Sequence, residues 1–488
     1  MGTIATPTES LEAAVEEALL PWDPRSSLAK GSLRYVKNLV LSIGIQGPTA
    51  VVIIGSAIIA RIVGGPGLLA QVLALVTMAF VVAAFIVFAL SFNTAGSIYP
   101  FNGTAMGPGY GFVSSAILLL VYLSFAVGVY AATADTAQTF FASIGLTVPW
   151  FLFGIVGAIL AIGLAYLSIG ISNIIIFACE GLSIVLVSLV GISVIEKGGY
   201  LHHALNAQSF SIHGVGVGVL ALEVVPAFGQ FSGFEGAATS EEEFKSSTHT
   251  ISVAIAGSLV ISAAIYIFFA WISYNAYPSV KALANDLAPL VRITGIYLNP
   301  LAARTVNVAG TISAFGAQLA CINAAARLLF ALGRETKGIA PLGFLAKTSS
   351  KFRSPTGALA VVAMSTTAAL AAFSFEAAAN RAGALIIQYD AYLILVAYLL
   401  TVVAAMVFVI KTTRKIFPTL VLSVGVVMIG YVLYKTFVPF PTAPLSWVVL
   451  SGLGSIALGF VLYLMRPIGI ALSNSELLGV TTIELKEI

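Results

Sequence analysis

The stretch Gly44-Ile45-Gln46-Gly47-Pro48-Thr49 sits in the middle of an apolar run that extends over 36–62. A proline inside a helix removes one backbone donor and crowds the preceding turn, and two glycines lower the cost of leaving helical geometry. The run is long enough to cross a bilayer, so the helix is expected to unwind at mid-membrane depth. A later run repeats the feature in Phe228-Gly229-Gln230-Phe231-Ser232-Gly233-Phe234-Glu235-Gly236. Unwound backbone in hydrocarbon is tolerated only where protein buries it or where it lines a cavity. Glycine also permits close helix packing, which accounts for a single Gly-rich span. A matched pair of breaks instead points to one central polar site, with half-helix N-termini for a carboxylate and freed carbonyls for a cation or ammonium group.

The rest of the chain fits a bilayer. Of 488 residues, 59% are hydrophobic and 9% charged, against roughly 25% charged in soluble domains. Reading apolar runs against their breakers gives about twelve spans, at 36–62, 67–92, 110–142, 149–170, 172–195, 215–236, 250–275, 304–333, 355–375, 383–410, 416–436 and 444–465. The expected fold is an all-α integral membrane bundle with its first and sixth helices broken. Those are the places where two five-helix inverted repeats put corresponding elements, with two helices left over. The chain then divides into an N-terminal tail (1–35), a ten-helix inverted-repeat core (36–410), two additional helices (411–466) and a C-terminal tail (467–488).

Lysines and arginines crowd the tail and the loops on its side, among them Arg25, Lys30, Arg34, Arg334, Lys337, Lys347, Lys351, Lys411 and Arg414, and are fewer in the opposite loops. By the positive-inside rule both termini are cytoplasmic, in a multi-pass protein of the plasma (inner) membrane. Trp22, Trp150, Trp271 and Trp447 fall at or before span ends, as interfacial anchors do.

Several chemistries are excluded. His202, His203, His213 and His249 lie in loops or at span ends, and Cys179 and Cys321 sit apart in apolar runs, so no metal site or cofactor is expected and an enzyme is disfavoured. No Gly-x4-Gly-Lys-Ser/Thr loop exists to drive transport with ATP. A net charge of +3 without a basic stripe excludes a nucleic-acid partner. The Asn102-Gly103-Thr104 triplet matches a glycosylation acceptor but faces the cytoplasm on this topology, so it is assigned no role.

The order of features resembles the amino acid–polyamine–organocation superfamily across roughly residues 35–465. Gly64-Gly65-Pro66-Gly67 is similar to that family's turn into the second span. Asn93-Thr94-Ala95-Gly96-Ser97-Ile98-Tyr99 with Gly107-Pro108-Gly109-Tyr110-Gly111-Phe112 is similar to its P-x-A-G-G-x-Y…G…G-F loop. Phe231-Ser232-Gly233-Phe234-Glu235 followed by Ser240-Glu241-Glu242 resembles its sixth-span signature, and Ala326-Arg327 to Gly333-Arg334 resembles a later one. Gln46, Pro48 and Thr49 depart from the small Gly-x-Gly run common in its first span.

The resemblance implies a LeuT-like five-plus-five fold and a secondary transporter that works by alternating access. Its cargo would be a small amino acid or amino-acid-derived amine, with the lipid bilayer and H+ or Na+ as partners. It also implies that the backbone of Gly44, Ile45, Gln46 and Gly47 meets the acidic or polar end of the substrate from the first span, and that Phe228, Gly229, Gln230 and Phe231 meet it from the sixth, with Phe231 as an aromatic gate. A polyamine, organic-cation or other metabolite permease or exchanger, and a nutrient sensor on the same scaffold, are the rival readings.

Ionisable groups within spans are costly and therefore functional candidates. Glu180 falls near where some proton-coupled relatives carry a lysine, and it and Asp390 are the proton-coupling candidates; a buried salt bridge or capped carboxylate is the alternative for Glu180, and a contact to a substrate ammonium group or water, or a structural aspartate, for Asp390. Glu235 holds the sixth span by family analogy, with Arg327 as a counter-charge. Thr311 and Ser313 are ion-binding candidates, although serines in membrane helices often bond their own backbone. Asp135 and Glu223 have no assigned face.

Overall fold

Two glycines in left-handed backbone conformation divide the two interrupted helices. The first span runs as Tyr35–Gln46, turns at Gly47 with φ 50°, and restarts as Pro48–Val63. Pro48 stands at the first helical position, where its missing N–H costs nothing. The sixth span runs as Val217–Phe231, passes through Gly233 at φ 106°, and continues as a tighter 3-10 helix over Phe234–Glu243. Such helices rarely exceed a few residues. This one persists because the Ser42 hydroxyl donates to the Phe234 carbonyl (2.7 Å) and accepts from the Ala237 amide (3.0 Å).

The computed structural model describes residues 35–92, 97–143, 145–197, 216–243, 248–335, 342–374, 379–438, 440–443 and 445–465. The two tails, residues 93–96 of the loop motif, Trp22, His202, His203 and His213 lie outside them, as do the side chains of Asp135, Glu223, Glu241 and Glu242. Among the described residues the chain is helical without strands, with nine helices long and apolar enough to cross a membrane. Three shorter apolar helices, Trp150–Tyr166, Gly218–Phe231 and Ser446–Val461, stand at the remaining expected spans.

The intact spans are Gly67–Ser91, Pro108–Ser143, Trp150–Tyr166, Ile169–Glu196, Thr248–Ala276, Pro300–Glu335, Thr356–Phe373, Ala379–Thr412, Ile416–Phe437 and Leu445–Met465. Short helices fill two connections, Ile98–Met106 in one and Val280–Ala284 with Pro289–Tyr297 in the other, and a 3-10 turn at Leu342–Ala346 fills a third.

Packing places the broken spans at the centre. The first half of the first span lies against the 3-10 half of the sixth, and the second half against Val217–Phe231. Around them the second span packs on the seventh, the third on the eighth and tenth, and the fourth on the ninth. Ile416–Phe437 and Leu445–Met465 flank this core from outside and present apolar residues such as Leu420, Val427 and Leu464 outward, as lipid contact requires.

One local expectation changes, and one is reinforced. Trp150 opens the fourth span but is 3% exposed, because it turns inward onto Ala131 and Ala134; Trp447 at 68% is the exposed ring. Asn102 is buried and donates to Thr401 Oγ1 (3.1 Å), so the glycosylation triplet is closed to modification.

Candidate functional site

A cavity of about 130 Å³ opens between the second half of the first span and the first half of the sixth. One wall is aliphatic, built from Val51, Ile54 and Ile58 with Ile387 opposite; Phe125 of the third span closes the side. Gln230, Gln388 and Asp390 supply polar side chains, Ala50 marks the inner end, and Arg61 stands at the rim with its Nε donating to the Ala284 carbonyl (3.0 Å). Asp390 is 1% exposed, and its Oδ1 accepts from the Ser124 hydroxyl (3.1 Å).

The cavity touches only part of the expected substrate set. Gly229 and Gln230 line it. Gln46 is buried beneath, where its Nε2 donates to the Phe231 carbonyl (3.3 Å), its Oε1 accepts from the Ser262 hydroxyl and its own carbonyl accepts from Tyr266 (3.1 Å). It fastens one break to the other and both to the seventh span. Ile45 fills the space left by Gly233 and Gly236, and Gly44 lies against Ile176 and Ala320. Gly47 faces Ala317 of the eighth span. Phe231 stacks edge-on to Tyr266 with centroids 5.3 Å apart, and Phe228 packs on Tyr398 at 5.8 Å. Both rings are fully buried, and neither lines the cavity.

A sequence model of the amino acid permease family matches residues 39–465, a stretch that contains both breaks and the whole cavity. The chain belongs to that family. It is an amino acid–polyamine–organocation permease, a membrane transporter of the amino acid class and not an enzyme. It is also similar to a branched-chain amino acid permease of Lactococcus lactis subsp. cremoris, 26% identical over 370 residues, covering 71% of this chain and 77% of the relative.

Beside the permease cavity runs a second polar path. Glu180 of the fifth span is 3% exposed; its Oε2 accepts from the Ser313 hydroxyl (2.9 Å), and Ser313 Oγ accepts from the Ala50 amide (3.2 Å) at the first turn of the restarted helix. Glu180 Oε1 has no hydrogen-bond partner among the described residues and sits where a Cβ on Gly316 would be 3.0 Å away. Ser313 therefore bonds across helices and not back to its own, whereas Thr311 donates to the Asn307 carbonyl one turn before it (3.0 Å).

Glu235 Oε2 accepts from the Gly233 amide (3.0 Å) and from the Tyr398 hydroxyl, which pins the break to the tenth span. Arg327 Nη1 donates to the Asn323 carbonyl and side chain (3.1 and 3.0 Å), bonds within its own helix.

Sequence reading missed Ser42, Ser262, Tyr266, Gln71 and Ser124. One signal was available: Ser258, Ser262 and Tyr266 repeat every fourth residue, which puts them on one face of the seventh helix. The others are single polar residues in apolar runs whose partners lie far away in sequence.

Proposed function

We propose that this permease carries a neutral amino acid with an aliphatic side chain across the plasma membrane, by alternating access and coupled to protons. The observation that carries the reading is the composition of the cavity. An aliphatic wall of Val51, Ile54, Ile58 and Ile387 meets one carboxylate, Asp390, and the opening turn of a half-helix at Ala50 and Val51.

A zwitterion suits those three features together. Its ammonium group lies toward Asp390, its carboxylate toward the positive end of the Pro48–Val63 helix, and its side chain along the isoleucines. The branched-chain specificity in the name of the Lactococcus relative agrees with the aliphatic wall. Glu180 is the proton carrier in this reading, since Ser313 connects its carboxyl group to the restarted helix and a change of charge there acts directly on the break.

The core over 36–410 forms two inverted five-helix repeats, a reading supported by the packing of the first span on the sixth, second on seventh, third on eighth and fourth on ninth. The excess of lysine and arginine in the tails and the loops on their side supports cytoplasmic termini. The test is uptake by purified protein in liposomes with an imposed pH gradient. Saturable leucine, isoleucine or valine uptake that exceeds uptake of lysine and putrescine and collapses with the gradient is expected. Preferential putrescine uptake would overturn the substrate class, and binding of leucine without flux would mark a sensor.

A further inference from the structure

Gln230 lines the cavity, and its carboxamide lies against the first span at Gly55. Gly55, on the facing half of the first span, leaves a notch in which a Cβ would lie 2.7 Å from Gln230 Nε2, 3.2 Å from Cδ and 3.5 Å from Oε1. From the other side Gln71 of the second span, 1% exposed, donates through Nε2 to Gln230 Oε1 (3.1 Å). The other carboxamide oxygen of that pair is not satisfied: Gln71 Oε1 is buried without a partner among the described residues. Beside it lies a void of about 10 Å³, bordered by Gly55, Ser56, Gln71, Gln230 and Tyr266. A space of that size holds at most one water.

We propose that Gly55, Gln71 and Gln230 together set the size of substrate side chain this permease accepts. Gln71 pulls the Gln230 carboxamide back into the Gly55 notch, and this retraction frees the length of aliphatic wall against which a branched side chain rests. None of the three is a substrate ligand in this role. Gln230 is a movable wall, Gly55 is the space it withdraws into, and Gln71 is its tether. The proposal rests on the reading of the cavity as an amino acid site and adds to it the residues that decide which amino acids fit.

The arrangement makes a directional prediction. A methyl group at Gly55 overlaps the far end of a flexible side chain and not backbone, so Gly55→Ala folds, and Gln230 swings outward into a cavity of only about 130 Å³. Loss of room for a methylene or two changes discrimination by about tenfold or more.

The experiment is uptake into liposomes of alanine and leucine by the unaltered permease, Gly55→Ala, Gln71→Leu, and the double variant Gly55→Ala/Gln230→Ala. Gly55→Ala is expected to lower the leucine-to-alanine ratio of kcat/KM at least tenfold, mostly through the KM for leucine. Gln71→Leu, which cuts the tether, shifts the ratio in the same direction. The double variant, with the displaced carboxamide removed, regains leucine transport. Equal losses for both substrates in Gly55→Ala, or no recovery in the double variant, would overturn the proposal while leaving the amino acid site intact. If the unaltered permease takes up neither amino acid, the reading of the cavity itself fails, and this proposal fails with it.

Discussion

Replacing Gly233 with alanine tests whether the sixth-span break is a designed conformation. Two costs arise at this position. The backbone sits at φ 106°, where an L side chain is strained, at about 1–3 kcal/mol. The new methyl also falls 2.6 Å from Ile45 Cγ2 and 3.1 Å from the Gln46 amide nitrogen, an overpacking worth about 1–3 kcal/mol. Together they destabilise the join between the breaks by about 2–6 kcal/mol.

The two contributions separate in a double-mutant cycle. Ile45→Ala removes the clashing methyl and leaves the φ strain, so Gly233→Ala/Ile45→Ala is less destabilised than the single changes sum to, with a coupling of about 1–3 kcal/mol. Gly163→Ala is the control, since that glycine has nothing within 4 Å of a built Cβ. Thermal unfolding of the purified protein in detergent reads the stability, and leucine uptake reads function. A Gly233→Ala melting temperature within about 1 °C of the unaltered protein, or strictly additive effects with Ile45→Ala, would refute the account of a glycine required by both conformation and contact.

Glu180→Gln keeps the shape and the Ser313 partner but removes the exchangeable charge; uptake is expected to persist along an amino acid gradient while its stimulation by external acid disappears, as initial rates across an external pH series would show. Asp390→Asn retains an acceptor for Ser124 and loses the anion facing the cavity, so the KM for zwitterionic substrates rises by about 10–100-fold, read from saturation curves. Ser42→Ala removes the hydroxyl bonded to both the Phe234 carbonyl and the Ala237 amide, at about 0.5–1.5 kcal/mol for each hydrogen bond lost, and lowers the melting temperature accordingly.

Both breaks were legible because their cause is local. Glycine and proline act on their own backbone, so Gly47-Pro48 and Gly233 announce the interruptions in any surroundings. Span positions were legible for the same kind of reason, since a bilayer imposes length and apolarity on each helix independently. Side-chain direction was not. Gln46 reads as a backbone contact to the substrate from its place in the break, and only the approach of Ser262, Tyr266 and Phe231 from distant segments shows what its side chain bonds to. Phe228, Phe231 and Phe234 suggest an aromatic lining, yet Tyr398, Tyr266 and Phe85 claim those rings for the core. The void that accepts Gln230 depends on an absent Cβ on another helix, and a chain read one segment at a time contains no sign of it.

The Ser42 bridge has a practical side. By holding two turns of the 3-10 segment to the opening half of the first span, it makes a single lever from two stretches that are 192 positions apart along the chain. Spectroscopic probes set at both ends of that lever should report an unchanging separation through the cycle. A probe pair spanning Gly47 or Gly233 should record the stroke, so the bridge supplies a fixed ruler against which the moving parts of this permease can be measured.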